Sequence, residues 1–317
     1  MTAIAIDPIA ELPPATSWRR LLFSRRIIIG GGIFLFIVVS CFFTLPITLN
    51  NSSDFYYDLQ HANSGQRPPQ LSPAWMCFGT TKLGQSLLGR CLTGGCLSLV
   101  IGFAAAAISV FLGVGVGLLA GYRGGWLDAL LMRIVDVLYS LPYILLVILF
   151  KIALERPLSE IRWLPDRWAN VMVLLLAIGL VSWLTMARVI RGQVLSLRSL
   201  PFIEAARAAG LPEWKIFARH LLPNLVGPIT VYATLTIPSA ILQESMLSFL
   251  GIGIQPPLPT WGSLASESLD LALNPIYHRW WLLVFPCTLL AVTLLSLNFL
   301  GDGLRDAFDP KRTAANI

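Results

Sequence analysis

The chain has 317 residues, of which 56% are hydrophobic and only 13% are charged. Soluble domains carry about 25% charged residues, so the composition excludes an ordinary soluble protein and indicates that much of the chain lies in lipid. The net charge of +6 does not by itself point to nucleic acid, because Lys and Arg of membrane proteins collect on the cytoplasmic side. The five cysteines show no CxxC pair and no metal-ligand spacing, so they do not predict a zinc site.

The first apolar run covers residues 27–45, after a tail of residues 1–26. It carries no charge and is about long enough to cross a bilayer as a helix. Its end offers no small-residue cleavage site, so we interpret it as a retained anchor rather than a signal peptide. Residues 46–95 then form an extracytoplasmic loop and the start of the next helix, with a polar stretch over residues 50–70.

Five further apolar runs form a core over residues 96–302. They cover residues 96–120, 134–150, 171–187, 225–250 and 280–300. A backbone in hydrocarbon must pair its polar groups internally, so each run predicts a helix. The run 96–120 is rich in Gly and Ala, small residues that let helices approach closely in lipid. The sequence therefore predicts an all-α integral membrane protein with six transmembrane helices.

The distribution of basic residues predicts the orientation. If the N-terminus is cytoplasmic, fifteen of the 23 Lys and Arg residues lie on the cytoplasmic side and eight on the other. This excess predicts that both termini, including a tail of residues 303–317, are cytoplasmic. The short segment 151–167 counts against this orientation, because it carries four basic residues on the outer side.

A cytoplasmic loop over residues 199–224 is predicted to form two short helices. Pro201 suits the first turn of a helix, where its missing N–H costs nothing. Gly210 suits the left-handed residue after a helix, Pro212 starts the second helix, and Pro223 ends it. One alternative is an amphipathic segment whose basic residues face anionic lipid headgroups. A DNA-binding helix-turn-helix does not suit a loop that is so short and tethered to the membrane.

The same loop resembles the EAA loop of the membrane subunits of ATP-binding cassette (ABC) importers. The positions that match the family pattern are Glu204, Ala205, Ala206, Gly210, Leu222 and Pro223. In that family the loop docks in a groove of a cytoplasmic ATPase. The resemblance therefore implies that these residues couple ATP hydrolysis to movement of the membrane helices.

Other stretches are similar to the second (C-type) permease subunit of dipeptide, oligopeptide and nickel importers. The matching stretches include GYRGGWLD, MRIVD, LSFLGIGIQPP and LGDGLRD. The matches occur in family order between about residues 78 and 312. The stretch over residues 78–90 is a degraded match, because Thr81, Gln85 and Ser86 replace residues of the family's polar pattern. We transfer no role to that stretch.

The resemblance implies the type I ABC importer permease architecture, in the inner membrane of a prokaryote. It implies four partners besides lipid: a second homologous permease subunit, two ABC ATPase subunits or domains, and an extracytoplasmic solute-binding protein. The chain has no GxxxxGK[ST] motif, so we expect it to bind no cofactor and to catalyse no reaction, with ATP and Mg²⁺ used by the ATPases. Di- and oligopeptides are the favoured substrate, and nickel or another small solute is the alternative.

Two acidic residues are candidates for the translocation path or its gate. Asp136 lies near the start of the run 134–150, and Glu244 lies near the outer end of the run 225–250. Charges inside a membrane are costly and often functional. The alternatives are that Asp136 reaches the cytoplasmic interface or pairs with Arg133, and that Glu244 pairs with a loop.

Two rival interpretations of function come from other classes of membrane protein. A secondary transporter or channel would need paired intramembrane charges or repeated halves, and a membrane enzyme would need clustered His, Asp or Glu near one face. The sequence displays none of these patterns. A disulfide between Cys77 and Cys91 is the alternative to ordinary packing of these two cysteines.

Overall fold

The computed structural model describes residues 25–62, 64–160, 165–274 and 278–308. Within these ranges the chain is helical, and the only β-pairing is an isolated bridge between Thr80 and Ser86. A short 3₁₀ turn covers Ala74–Met76. The helices in chain order are α1 (Arg25–Thr48), α2 (Leu87–Arg123), α3 (Gly125–Ser140), α4 (Tyr143–Ser159), α5 (Asp166–Arg198), α6 (Pro201–Ala208), α7 (Glu213–Ile216), α8 (Leu222–Phe249), α9 (Trp261–Leu273) and α10 (Trp281–Phe308).

Five helical runs of the described chain are long and apolar enough to cross a membrane. They are α1, α2, α5, α10 and the continuous run Glu213–Phe249 that contains α7 and α8. Helices α3 and α4 together pass the same test, which gives a sixth span if the pair counts as one. Several helices extend beyond the predicted apolar runs, because hydropathy detects only the part that lies in hydrocarbon.

The predicted run 134–150 is not one continuous helix. Helices α3 and α4 meet at an angle of 103° within this run. Leu141 is extended (φ −78°, ψ 146°), and Pro142 follows it. The physical reason is that proline lacks an N–H and disfavours helical geometry in the residue before it.

Helix α2 packs closely along α5 through a row of glycines at every fourth position. A Cβ atom added at Gly113 would lie 2.5 Å from the Met186 Cβ, and one at Gly117 would lie 2.6 Å from the Ala187 carbonyl oxygen. These glycines therefore let the two helices approach more closely than any side chain would permit. Much of the buried core lies between α2, α5 and their neighbours, with Ile101, Leu174 and Ile178 fully buried.

At the other end of α2, polar contacts join it to α9. Arg90, on the first turn of α2, donates two hydrogen bonds to Glu267 at 2.7 and 3.2 Å. The buried Trp261 donates from its indole Nε1 to the Cys91 carbonyl at 3.0 Å. All five cysteines are free, so the disulfide alternative for Cys77 and Cys91 is not realised.

Candidate functional site

The predicted two-helix connector forms between α5 and α8. Pro201 occupies the first turn of α6, as its sequence position predicted. The end of α6 is closed by Gly210, which has φ +74°. The Leu211 N–H donates to the Ala206 carbonyl at 3.2 Å, and the Gly210 N–H donates to the Arg207 carbonyl at 2.9 Å. These two bonds form a Schellman motif, whose left-handed residue is favoured as glycine.

The second half of the connector differs from the prediction, because Pro223 does not end a helix. Helix α7 passes through a π turn (Phe217–Leu221) directly into α8, and Pro223 lies in the first turn of α8. The wider turn is closed by a bond from the Leu222 N–H to the Phe217 carbonyl. The π turn widens the helix just before Pro223, so the proline and its missing N–H are accommodated within a continuous helix. The second helix of the connector is therefore continuous with α8.

The inner side of the connector is packed against the end of α2. Ile203, Ile216 and Leu221 are fully buried, and Ala206 is nearly so. This cluster contacts Tyr122, whose ring makes an edge contact with Phe217 at a centroid distance of 6.4 Å. Buried apolar contacts of this kind hold the connector as one rigid unit with the helices it joins.

The outer side of the connector carries most of the residues that resemble the EAA loop. Five of the six are exposed, Ala206 being the exception: Glu204, Ala205, Gly210, Leu222 and Pro223. Three large apolar side chains are exposed beside them and were not singled out from the sequence: Phe202, Leu211 and Trp214, which is 67% exposed. The sequence carried no clear signal for them, because the connector also contains apolar residues that are buried, such as Ile203 and Ile216. An exposed apolar patch with a polar rim is typical of a protein-binding surface.

Two ion pairs join α3 to the second half of α5, the helix that leads into the connector. Arg191 forms a two-pronged pair with Asp128, with distances of 2.5 and 2.6 Å. Asp136 pairs with Arg188 at 2.8 Å, so the alternative in which Asp136 pairs with Arg133 is not the one that forms. The Arg188 guanidinium also lies 3.9 Å from the ring centroid of Tyr139. The Asp136 side chain is 63% exposed, which shows that this candidate lies at the surface of the subunit.

Glu244 lies in the interior of the subunit. It is fully buried, and its carboxylate accepts hydrogen bonds from Ser248 at 2.7 Å and from Ser98 of α2 at 2.9 Å. Ser248 also accepts from the Ile254 N–H of the following loop at 3.4 Å. Glu244 therefore links α8 directly to α2, and Ser248 connects it to the following loop. A role in the translocation path stays a prediction.

The described residues contain no cluster of three or more His, Cys, Asp or Glu side chains that could hold a metal ion. The exposed side of the connector is a candidate functional surface on other grounds, namely its exposed apolar side chains and its resemblance to the EAA loop.

Sequence comparison matches residues 113–314 to a family described as "Binding-protein-dependent transport system inner membrane component". The oligopeptide transport permease OppC of Haemophilus influenzae is 43% identical over 74% of this chain and 70% of its own length. The dipeptide transport permease DppC of Bacillus subtilis is 37% identical over 93% and 85%. OppC of Escherichia coli is 40% identical over 92% and 89%.

A comparison of structures finds a similar fold in the MetNI methionine ABC transporter in an inward-facing conformation. The match has a TM-score of 0.55 and covers 70% of this chain and 98% of that chain. The identity is 19%, so this likeness bears on the fold alone.

Proposed function

The chain belongs to the family of binding-protein-dependent transport inner membrane components, and we propose that it forms half of the membrane pore of an ATP-driven importer of di- and oligopeptides. The peptide substrate is supported by the names of the relatives, which are oligopeptide and dipeptide permeases. They favour peptides over nickel, the alternative that the sequence left open.

The outer side of the connector is the proposed ATPase-docking surface. The observation that carries this proposal is a rigid connector whose inner side is buried while Glu204, Ala205 and the aromatic Trp214 are exposed. Small residues next to an aromatic side chain suit close packing in a groove of a partner. Because α6 follows α5 almost directly and α7 continues into α8, a shift of the ATPase would move both helices together.

The partners follow from the proposed role. A binding-protein-dependent permease works with an ATPase and a solute-binding protein, and we propose two ATPase subunits or domains and a second homologous permease. One subunit with one connector would engage one ATPase and enclose half of a channel. In this proposal ATP and Mg²⁺ are used by the ATPases, and this chain binds no cofactor and catalyses no reaction. Transport proceeds by alternating access, in which ATP-driven closure moves the connectors.

The test is reconstitution of the full transporter with its ATPases in liposomes. Wild-type complex is expected to take up labelled tripeptide only with ATP and loaded binding protein. Glu204→Lys is expected to release the ATPase during purification and to abolish uptake. Glu160→Lys makes the same charge change at an exposed position beyond the far end of α4 and is the matched control. Peptide uptake without an ATPase, or equal effects of the two variants, would contradict the proposal.

A further inference from the structure

A groove of about 630 Å³ lies between the α3–α4 break, α5 and α8. Its volume is in the range of about 300–1,000 Å³ that is usual for small-ligand sites. Fourteen residues line it, and none of them is charged. Eight of them carry hydrogen-bonding side chains, which is unusual for a surface at this depth of an apolar helix bundle.

Helix α8 contributes four of these polar side chains on one face. Tyr232, Thr236, Ser239 and Gln243 follow one another at spacings of four, three and four residues. This spacing places them in one row along the helix, and at 1.5 Å per residue the row is about 16 Å long. The row lies in the second half of the apolar run Glu213–Phe249, and Ser182 and Thr185 line the same groove from the middle of α5.

The hydrogen bonds within the groove leave a definite set of groups for a ligand. Thr236 and Ser239 donate to carbonyls of their own helix at 2.7 and 3.1 Å, so their oxygen lone pairs stay open as acceptors. The Gln243 side-chain oxygen accepts from the Tyr143 hydroxyl, so its NH₂ group stays a donor. The groove thus offers acceptors for N–H groups and a donor for a carbonyl, without any fixed charge.

The break between α3 and α4 indicates what covers this groove. Leu141, at the break, lines it, and there the backbone leaves helical geometry. Irregular backbone at membrane depth is tolerated only where protein buries it or water reaches it, since lipid cannot satisfy its polar groups. Leu141 is 46% exposed within this subunit, so in the assembled transporter this side of the groove faces water or protein rather than lipid.

We propose that this groove is the part of the translocation-path wall that this subunit contributes. There it binds the main chain of an extended peptide, without selecting for the charge of the peptide's side chains. The proposal rests on the proposed importer function. The two acceptors and one donor match peptide N–H and C=O groups. No charged side chain lines the groove, and Arg188, which lies over the ring of the lining residue Tyr139, is paired with Asp136, so the lining has no unpaired charge with which to discriminate between acidic and basic peptides.

The first test is thiol labelling of the complete transporter in liposomes. Ser239→Cys is placed in a host with Cys77→Ser and Cys287→Ala, because the other three cysteines are buried. A charged, membrane-impermeant methanethiosulfonate is expected to label it at least tenfold faster than Leu242→Cys, in the nucleotide-free or the vanadate-trapped state. Leu242 lies on the same helix, is 54% exposed and does not line the groove. After labelling, peptide uptake is expected to fall at least tenfold while stimulated ATPase activity persists.

The second test introduces charge into the row. Thr236→Asp is expected to slow uptake of acidic tripeptides at least tenfold relative to basic ones, and Thr236→Lys is expected to reverse this order, because like charges repel strongly in a confined groove. Wild-type uptake of the two peptides is expected to agree within threefold. If wild-type complex transports peptide but Ser239→Cys stays unlabelled, the partner subunit covers the groove and the inference is wrong. If wild-type complex transports no peptide, the proposed function itself fails.

Discussion

Replacing Gly210 with valine tests whether the shape of the connector, rather than its presence, couples the ATPase to the membrane helices. A Cβ atom at this position would meet no other atom within 4 Å, so the space around Gly210 is open. The expected effect is conformational, because Gly210 has φ +74° and closes the Schellman motif. A β-branched residue is strongly disfavoured in this region of φ and ψ.

The magnitude follows from that strain. A non-glycine residue held in the left-handed region costs about 1–3 kcal/mol. At about 1.4 kcal/mol per factor of ten, the native connector would become about 5-fold to 150-fold less populated relative to a connector with a different turn. The buried core of the subunit does not include Gly210, so insertion and folding of the membrane helices should be unchanged.

The assay compares two rates in liposomes: ATP hydrolysis stimulated by loaded binding protein, and peptide uptake. We expect Gly210→Val to reduce peptide uptake at least fivefold. We also expect fewer peptides to be taken up per ATP hydrolysed, because the connector couples the two processes less tightly. Gly251→Val is the matched control, since Gly251 has φ +77° and equally open space but lies beyond the opposite end of α8. Wild-type uptake and ATPase docking in Gly210→Val, or the same defect in both variants, would refute the reasoning.

Three further substitutions test the contacts around the connector and the core. Arg191→Ala should lower the free energy of unfolding by about 1–3 kcal/mol, because it leaves the largely buried Asp128 without its partner. Exchanging the two residues should recover part of the resulting decrease in the thermal unfolding midpoint, measured in detergent. Glu244→Leu should cost about 1–3 kcal/mol by removing the acceptor of three serine hydroxyls, whereas Glu244→Gln, which keeps an acceptor, should cost less in the same unfolding measurement. Gly117→Leu should abolish accumulation of the folded protein in membranes, because a side chain there would force the closely packed helices α2 and α5 apart. Gly115→Leu, at a position with open space around its Cβ, should accumulate normally.

The parts of the fold that the sequence predicted are those set by local chemistry. A long apolar run must become a helix in lipid, so the number and order of spans follow from composition. The start of α6 and the left-handed residue after it follow from Pro201 and Gly210, whose backbone restrictions act within a few residues. The family resemblance located the connector from its motif residues. It did not identify the apolar side chains that are exposed around those residues.

The parts that the sequence did not predict depend on contacts between distant residues or on competing local rules. Asp136 had Arg133 close by in sequence, yet its partner is Arg188, 52 positions away on a helix that packs alongside. Pro142 and Pro223 carry the same restriction but act differently. Pro142 breaks the helix, whereas a π turn before Pro223 lets the chain continue. Sequence alone does not tell these outcomes apart, because packing of the surrounding helices decides between them.

Helix α5 offers a physical route by which the connector and the groove influence each other. It carries Ser182 in the groove, Arg191 in the ion pair with α3, and Arg198 at its end, where the connector begins. Ser182 and Arg198 are about 24 Å apart along an uninterrupted helix, which moves as a rod. Close glycine packing ties α2 to the same rod, and the ion pairs tie α3 to it. A shift of the connector of the size that ATPase closure would supply would therefore move α5 and α8 together, and with them the polar row of the groove relative to the partner subunit, which is the movement that alternating access needs.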